Sequence, residues 1–192
     1  YFGNAPKGSL LVKKIDSVTH EPLSDVEFLV TTSDGTVVGN ANGKFITDHT
    51  GCFTVENVAP GTTLVVKETR AKSGYLLDDT AQTAAIKAGQ TVTLEFRNAP
   101  FGSVLVKKVD AVTKAPISDV EFMVTTADGT VVGDANGKFV TDSTGTFIIS
   151  DVAPDTTLVI KEVRAKKGYL LDDAPQTVKV KSNEVITVEF RN

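Results

Sequence analysis

The feature that most constrains this chain is an internal repeat. Asn4, Asn98 and Asn192 recur at a constant spacing of 94 (98 − 4 and 192 − 98), and the pairs Lys14/Lys108 and Glu68/Glu162 share it. The copies Ala5–Asn98 and Ala99–Asn192 align without a gap, and roughly two-thirds of their positions are identical. Tyr1-Phe2-Gly3-Asn4-Ala5-Pro6 reads like Glu95-Phe96-Arg97-Asn98-Ala99-Pro100. Residues 1–4 are therefore expected to be the tail of a preceding copy, and the chain to be an excerpt of a longer array. A repeat of this length is long enough to be a whole domain with its own core.

Within copy one the pattern is that of short strands. Ser9–Ile15, Glu27–Thr31, Thr36–Val38, Lys44–Asp48, Cys52–Val55, Thr63–Thr69, Thr83–Ile86 and Thr91–Asn98 are the expected strands. Asp34-Gly35, Asn42-Gly43 and Ala59-Pro60-Gly61 supply turns between them. No helical periodicity persists. The fold class expected is all-β, with two tandem Ig-like or prealbumin-like β-sandwiches at 5–98 and 99–192. A domain of about 90–100 residues buries only about two-thirds of its extended surface and gains from a staple. A single cysteine, Cys52, excludes an internal disulfide.

The alternation of the strands points to what the staple is. On the last strand Val92, Leu94, Phe96 and Asn98 share a face, and Ile186, Val188, Phe190 and Asn192 repeat it. Leu10, Val12 and Lys14 share a face of the first strand, and Leu64, Val66 and Glu68 a face of a middle one. In each copy a lysine, a glutamate and an asparagine thus sit on apolar faces. Such groups need partners when buried. Desolvation favours the neutral forms of an amine and a carboxyl group. A neutral amine is a nucleophile and a neutral carboxylic acid a proton donor. Taken singly, each residue reads as readily as a solvated strand residue or a cap. Strand parity alone leaves the two readings level.

The segments Val12-Lys13-Lys14-Ile15-Asp16, Lys67 to Tyr75 (KETRAKSGY) and Glu95-Phe96-Arg97-Asn98 resemble the CnaB-type domain, a prealbumin-like repeat of Gram-positive surface adhesins and pilins. The resemblance covers nearly the whole chain, twice. It implies Lys14 and Lys108 as reactive lysines and Asn98 and Asn192 as acceptors. It implies Glu68 and Glu162 as catalytic acids that polarise the acceptor carbonyl and shuttle protons. The implied product is a Lys–Asn isopeptide bond, made once by the protein on itself. The chain departs from the family pattern at Lys72 and Lys166, where proline is usual, and at Val163, where threonine is usual.

Three classes of function remain at this stage. The first is a structural stalk repeat of a cell-wall-attached, extracellular surface protein, whose partners are neighbouring repeats and whose host ligand belongs to a tip domain outside this sequence. The second is a repeat that itself binds a host protein or polysaccharide. The third is an enzyme, against which no Ser–His–Asp, Cys–His or metal set recurs in both copies; self-crosslinking is a single turnover. His20 and His49 face Lys114 and Ser143 in the second copy, and Cys52 faces Thr146. The acid pairs Asp78-Asp79 and Asp172-Asp173 read as solvated loops, and Asp134 to Gly137 lacks the ligand set of a calcium loop. No metal or cofactor is expected. A net charge of −4 argues against nucleic acid, and no run is long and apolar enough for membrane insertion. A monomer is expected, with its domains stacked end to end.

Overall fold

The computed structural model describes residues 4–192. The reading of residues 1–4 as a preceding tail therefore lies, for residues 1–3, outside the described residues. The chain divides into two compact units, Tyr1–Pro100 and Phe101–Asn192. Each is a sandwich of two sheets, and no helix occurs among the described residues. None is therefore available to cross a membrane.

The first unit holds β1 (Gly8–Asp16), β2 (Glu27–Thr32), β3 (Lys44–Ile46), β4 (Cys52–Val58), β5 (Thr63–Arg70), β6 (Gln82–Ala85) and β7 (Thr91–Asn98). One sheet has the order β4-β1-β7 and the other β3-β2-β5-β6. The second unit repeats this with β8 (Gly102–Val109), β9 (Glu121–Thr126), β10 (Lys138–Val140), β11 (Thr146–Val152), β12 (Thr157–Arg164), β13 (Gln176–Lys179) and β14 (Val185–Arg191). Its sheets are β11-β8-β14 and β10-β9-β12-β13.

Period-two alternation builds these layers. In β1 the inward set is Gly8, Leu10, Val12, Lys14 and Asp16, all buried. In β5 it is Leu64, Val66 and Glu68. Phe28 of β2 meets Phe53 of β4 and Phe96 of β7 at centroid distances of 5.4 and 5.0 Å, which locks the two sheets together. The first and last strands run side by side and parallel, with Lys14 opposite Phe96 and Asp16 opposite Asn98. β8 and β14 pair in the same sense, with Lys108 opposite Phe190.

The structure differs from the sequence reading at three places. β4 runs on to Val58 instead of ending at Val55, past a register shift in its pairing with β1. Residues 36–38 form no extended ladder; they meet β2 at the single Thr31–Val37 bridge, where Thr32 N and Oγ1 donate to the Thr36 carbonyl and Val38 N to the Val30 carbonyl. The Asp34 turn, which accepts from the Thr36 N–H, and the positive φ of Gly39, Asn42 and Gly43 turn the chain on either side of this segment and hold its pairing to one bridge. β3 ends at Ile46 instead of continuing to Asp48. Thr47 leaves the ladder because its hydroxyl accepts from the Val26 N–H and donates to the Leu23 carbonyl, tying down the chain before β2.

Candidate functional site

The register of β1 with β7 and of β2 with β5 decides which polar side chains meet. Lys14 comes from β1 and Asn98 from the end of β7, both in one sheet. Glu68 comes from β5 in the facing sheet, opposite Phe28. All three point into the sandwich, with 1% of Lys14, 1% of Asn98 and none of Glu68 exposed. Lys14 is among the largest fully buried side chains of the unit, in a place that alternation assigns to an apolar residue.

The three groups satisfy one another. Lys14 Nζ donates to Glu68 Oε2 at 2.6 Å and to Asn98 Oδ1 at 2.5 Å. Asn98 Nδ2 donates to Glu68 Oε1 at 2.6 Å. The glutamate thus bridges the amine nitrogen and the amide nitrogen, while the amide oxygen faces the amine. Phe28 and Phe96 close the sides, each with its ring centroid 5.9 Å from Lys14 Nζ. Burial holds the Lys14 amine below the usual lysine range; the hydrogen bond and charge of Glu68, and the charge of Asp78, oppose this without cancelling it.

The second unit has the same constellation. Lys108 Nζ donates to Glu162 Oε2 and to Asn192 Oδ1, both at 2.6 Å, and Asn192 Nδ2 donates to Glu162 Oε1 at 2.8 Å. The rings of Phe122 and Phe190 stand at 5.9 and 5.8 Å. Thr69 and Val163, where the copies differ beside the glutamate, lie on the outward face, so the difference does not touch the buried carboxyl.

The main chain at Lys14 is gripped from outside the sheet. Its N–H donates to Gly51 O at 2.8 Å, and its carbonyl accepts from Leu23 N at 2.9 Å. Gly51 has φ +73°, and a Cβ there would stand 2.7 Å from the Lys14 carbonyl oxygen. Gly145 stands in the same relation to Lys108.

Sequence reasoning missed a second polar group beside the triad. Asp16, 3% exposed, accepts from Val18 N and Thr19 N at 2.6 and 3.0 Å through Oδ1, and from the Tyr75 hydroxyl at 2.9 Å through Oδ2. The inward parity that singles out Lys14 also singles out Asp16, two positions on. Desolvation raises its carboxyl, but the Thr19, Val18 and Tyr75 hydrogen bonds outweigh this and hold it below the usual range. The Tyr75 phenol is pushed up to about 12 by burial and by the Asp16 carboxylate. The acids of the first pair are bonded elsewhere, Asp78 accepting from Thr80 N and Asp79 pairing with Lys67 at 3.4 Å, so Asp78 reaches Lys14 through its charge alone.

Residues 8–100 and 102–192 each match the SpaA prealbumin-like fold domain. Among solved structures, the chain resembles the Streptococcal ancillary pilin at 20% identity and a TM-score of 0.53, covering 98% of this chain and 63% of that one. It is similar to the Bacillus anthracis TIE protein at 25% identity and a TM-score of 0.48, covering 97% of this chain and 34% of that one. The shaft pilin SpaA from Lactobacillus rhamnosus GG is 17% identical with a TM-score of 0.46, over 96% of this chain and 97% of that one. The chain thus spans about a third of one relative and less than two-thirds of another. No curated protein matches it.

Proposed function

The chain belongs, in both of its units, to the SpaA prealbumin-like fold domains, and on that premise we propose that it is a structural stalk segment of a Gram-positive surface fibre or adhesin. Each unit is stiffened by an isopeptide bond that it forms within itself. The observation that carries this reading is the hydrogen-bonded triad of a lysine on the first strand, an asparagine at the end of the last and a glutamate from the facing sheet, present in both units, fully buried in the first and part-buried at Asn192 in the second.

The reaction balances within the triad. The neutral Lys14 amine attacks Cγ of the Asn98 amide. Glu68 takes a proton from the attacking nitrogen through Oε2 and delivers one to the departing nitrogen through Oε1. The C–N bond to Nδ2 breaks, ammonia leaves, and an Nζ–Cγ amide remains. The hydrogen bonds of Glu68 to both nitrogens support the relay half of its role. The polarising half needs the amide turned over, so that Oδ1 faces the carboxyl. Enclosure by Phe28 and Phe96 favours the neutral amine and keeps competing water out. The same roles fall to Lys108, Glu162 and Asn192.

The consequence is mechanical. Lys14 lies near the start of its unit and Asn98 at its end, 84 positions apart. Tension entering at one end leaves at the other through a covalent bond, and the intervening chain stays slack. Partners of such a segment are the neighbouring repeats of its own parent chain, at a cell wall.

Glu68→Gln tests the chemistry. It keeps the shape and removes the proton relay. The expected product of this variant retains the second bond only, so a protease digest yields the branched peptide joining Lys108 to Asn192 and none joining Lys14 to Asn98. A Glu68→Gln chain that still yields the Lys14–Asn98 branched peptide contradicts the mechanism.

A further inference from the structure

The Asp16 carboxylate joins the three chain segments that deliver the triad. Asp16 ends β1, two residues after Lys14, and stands opposite Asn98 in the parallel ladder. Its Oδ1 accepts from Val18 N and Thr19 N and so fixes the turn that leaves the strand. Inside that turn the Ser17 N–H donates to the Asn98 carbonyl at 2.9 Å, which pins the main chain of the acceptor. Its Oδ2 accepts from Tyr75, which closes the Lys72–Tyr75 turn after β5, the strand that carries Glu68. In the first unit that loop also holds the residues just past the acceptor, through Leu76 N to Ala99 O at 2.9 Å and the Tyr75–Pro100 bridge.

The second unit repeats this arrangement. Asp110 Oδ1 accepts from Val112 N and Thr113 N, both at 2.8 Å, and Oδ2 from the Tyr169 hydroxyl at 2.9 Å. Ala111 N donates to the Asn192 carbonyl at 2.6 Å. The turn residue differs between the copies, Ser17 against Ala111, and the contact survives because it is made by main chain.

We propose that Asp16 with Tyr75, and Asp110 with Tyr169, are positioning residues for the crosslinking reaction, holding the acceptor strand end and the glutamate-bearing segment in the geometry that lets the lysine reach the amide. The inference rests on the self-crosslinking reading above. None of these four residues touches the reacting atoms. Each pair acts through the acceptor's main chain and through the loop after the glutamate strand. Loss of about an ångström of alignment costs on the order of a hundredfold in rate, so the effect is on how fast the bond forms and not on which atoms it joins.

The test follows bond formation in the full chain made by cell-free synthesis, quenched in acid at intervals and digested so that the Lys14–Asn98 and Lys108–Asn192 branched peptides are quantified separately, with the second unit as the internal clock. Asp16→Ala and Tyr75→Phe are expected to slow the first unit by on the order of tenfold to a hundredfold, with the second unit unchanged. Asp16→Asn restores most of the rate, because its amide oxygen still accepts the two turn N–H groups and its amide nitrogen can donate to the tyrosine oxygen. A core variant, Val30→Ala, chosen to lower the melting temperature as much as Asp16→Ala does, leaves the rate near that of the parent chain. Wild-type rates in both Asp16→Ala and Tyr75→Phe overturn the proposal, as does equal slowing by Val30→Ala. A parent chain that yields neither branched peptide at the last interval refutes the crosslinking reading itself, a separate outcome.

Discussion

A fully buried lysine is tolerated here because each of its polar contacts is met. No buried side-chain nitrogen or oxygen lacks a hydrogen-bond partner among the described residues. Removing one partner of such a set leaves the others stranded at a cost of about 3–5 kcal/mol, whereas converting the set into an amide removes the charges altogether. The neighbouring Asp16 adds to a pH dependence that Asp34, Asp48 and Asp78, also held below their ordinary values, share. Its carboxyl is held below the ordinary value of 3.8 in the fold. A carboxyl lowered in this way contributes stability that is present above the unfolded value and lost as pH falls through the folded one. In a chain freed of both bonds by Glu68→Gln and Glu162→Gln, the melting temperature of the first unit is expected to fall on acidification from about pH 5 to about pH 2. Asp16→Asn is expected to flatten that fall; an unchanged slope would remove Asp16 from the account. Alternation put Lys14, Glu68 and Asn98 on inward faces but left a buried cluster level with solvated strand residues, and only the resemblance to the CnaB-type domain chose between them. Asp16 obeys the same parity and was passed over, since an aspartate ending a strand reads equally well as an exposed turn residue. Tyr75 carries no periodic signal, because it sits in a loop.

At the scale of elements, the parallel pairing of β1 with β7 is what makes the site. It sets Asn98 one inward step beyond Phe96, itself opposite Lys14, within reach of a side chain as long as lysine's. Most strand positions followed from alternation, and the strands β1, β2, β5 and β7 that carry the core were expected where they lie, within a residue. The pairing order was not legible, because alternation says which face a residue takes and nothing about which strand lies beside it. The segment 36–38 was misread for a related reason: a short apolar pair between two glycine turns has strand composition, but the turns hold its pairing with β2 to a single bridge. Gly51 shows how tightly the β1 main chain is set. Gly51→Ala combines a positive φ with a Cβ 2.7 Å from the Lys14 carbonyl oxygen. It is expected to move Lys14 off its partners and to leave the first unit largely uncrosslinked, with the second unaffected. Intact mass and the branched-peptide digest check this, and full crosslinking in Gly51→Ala would show that β1 has more latitude than its contacts indicate.

At the scale of the molecule, the two units have separate hydrophobic cores and separate triads. Each is expected to crosslink and to resist force on its own. In single-molecule stretching the parent chain should show no long unfolding step. A Lys14→Ala chain should show one, releasing the 84-position span between Lys14 and Asn98, which is roughly 280 Å at about 3.4 Å per residue. A parent chain that extends by such steps would leave the stalk reading without its mechanical basis.

The intact mass of the purified chain tests the central claim most directly. Each bond expels one ammonia, about 17 Da. The account predicts a deficit of about 34 Da against the mass calculated from the sequence, halved in Lys14→Ala. A parent chain of full calculated mass would mean that the triads are buried hydrogen-bonded clusters and nothing more, and would contradict the account.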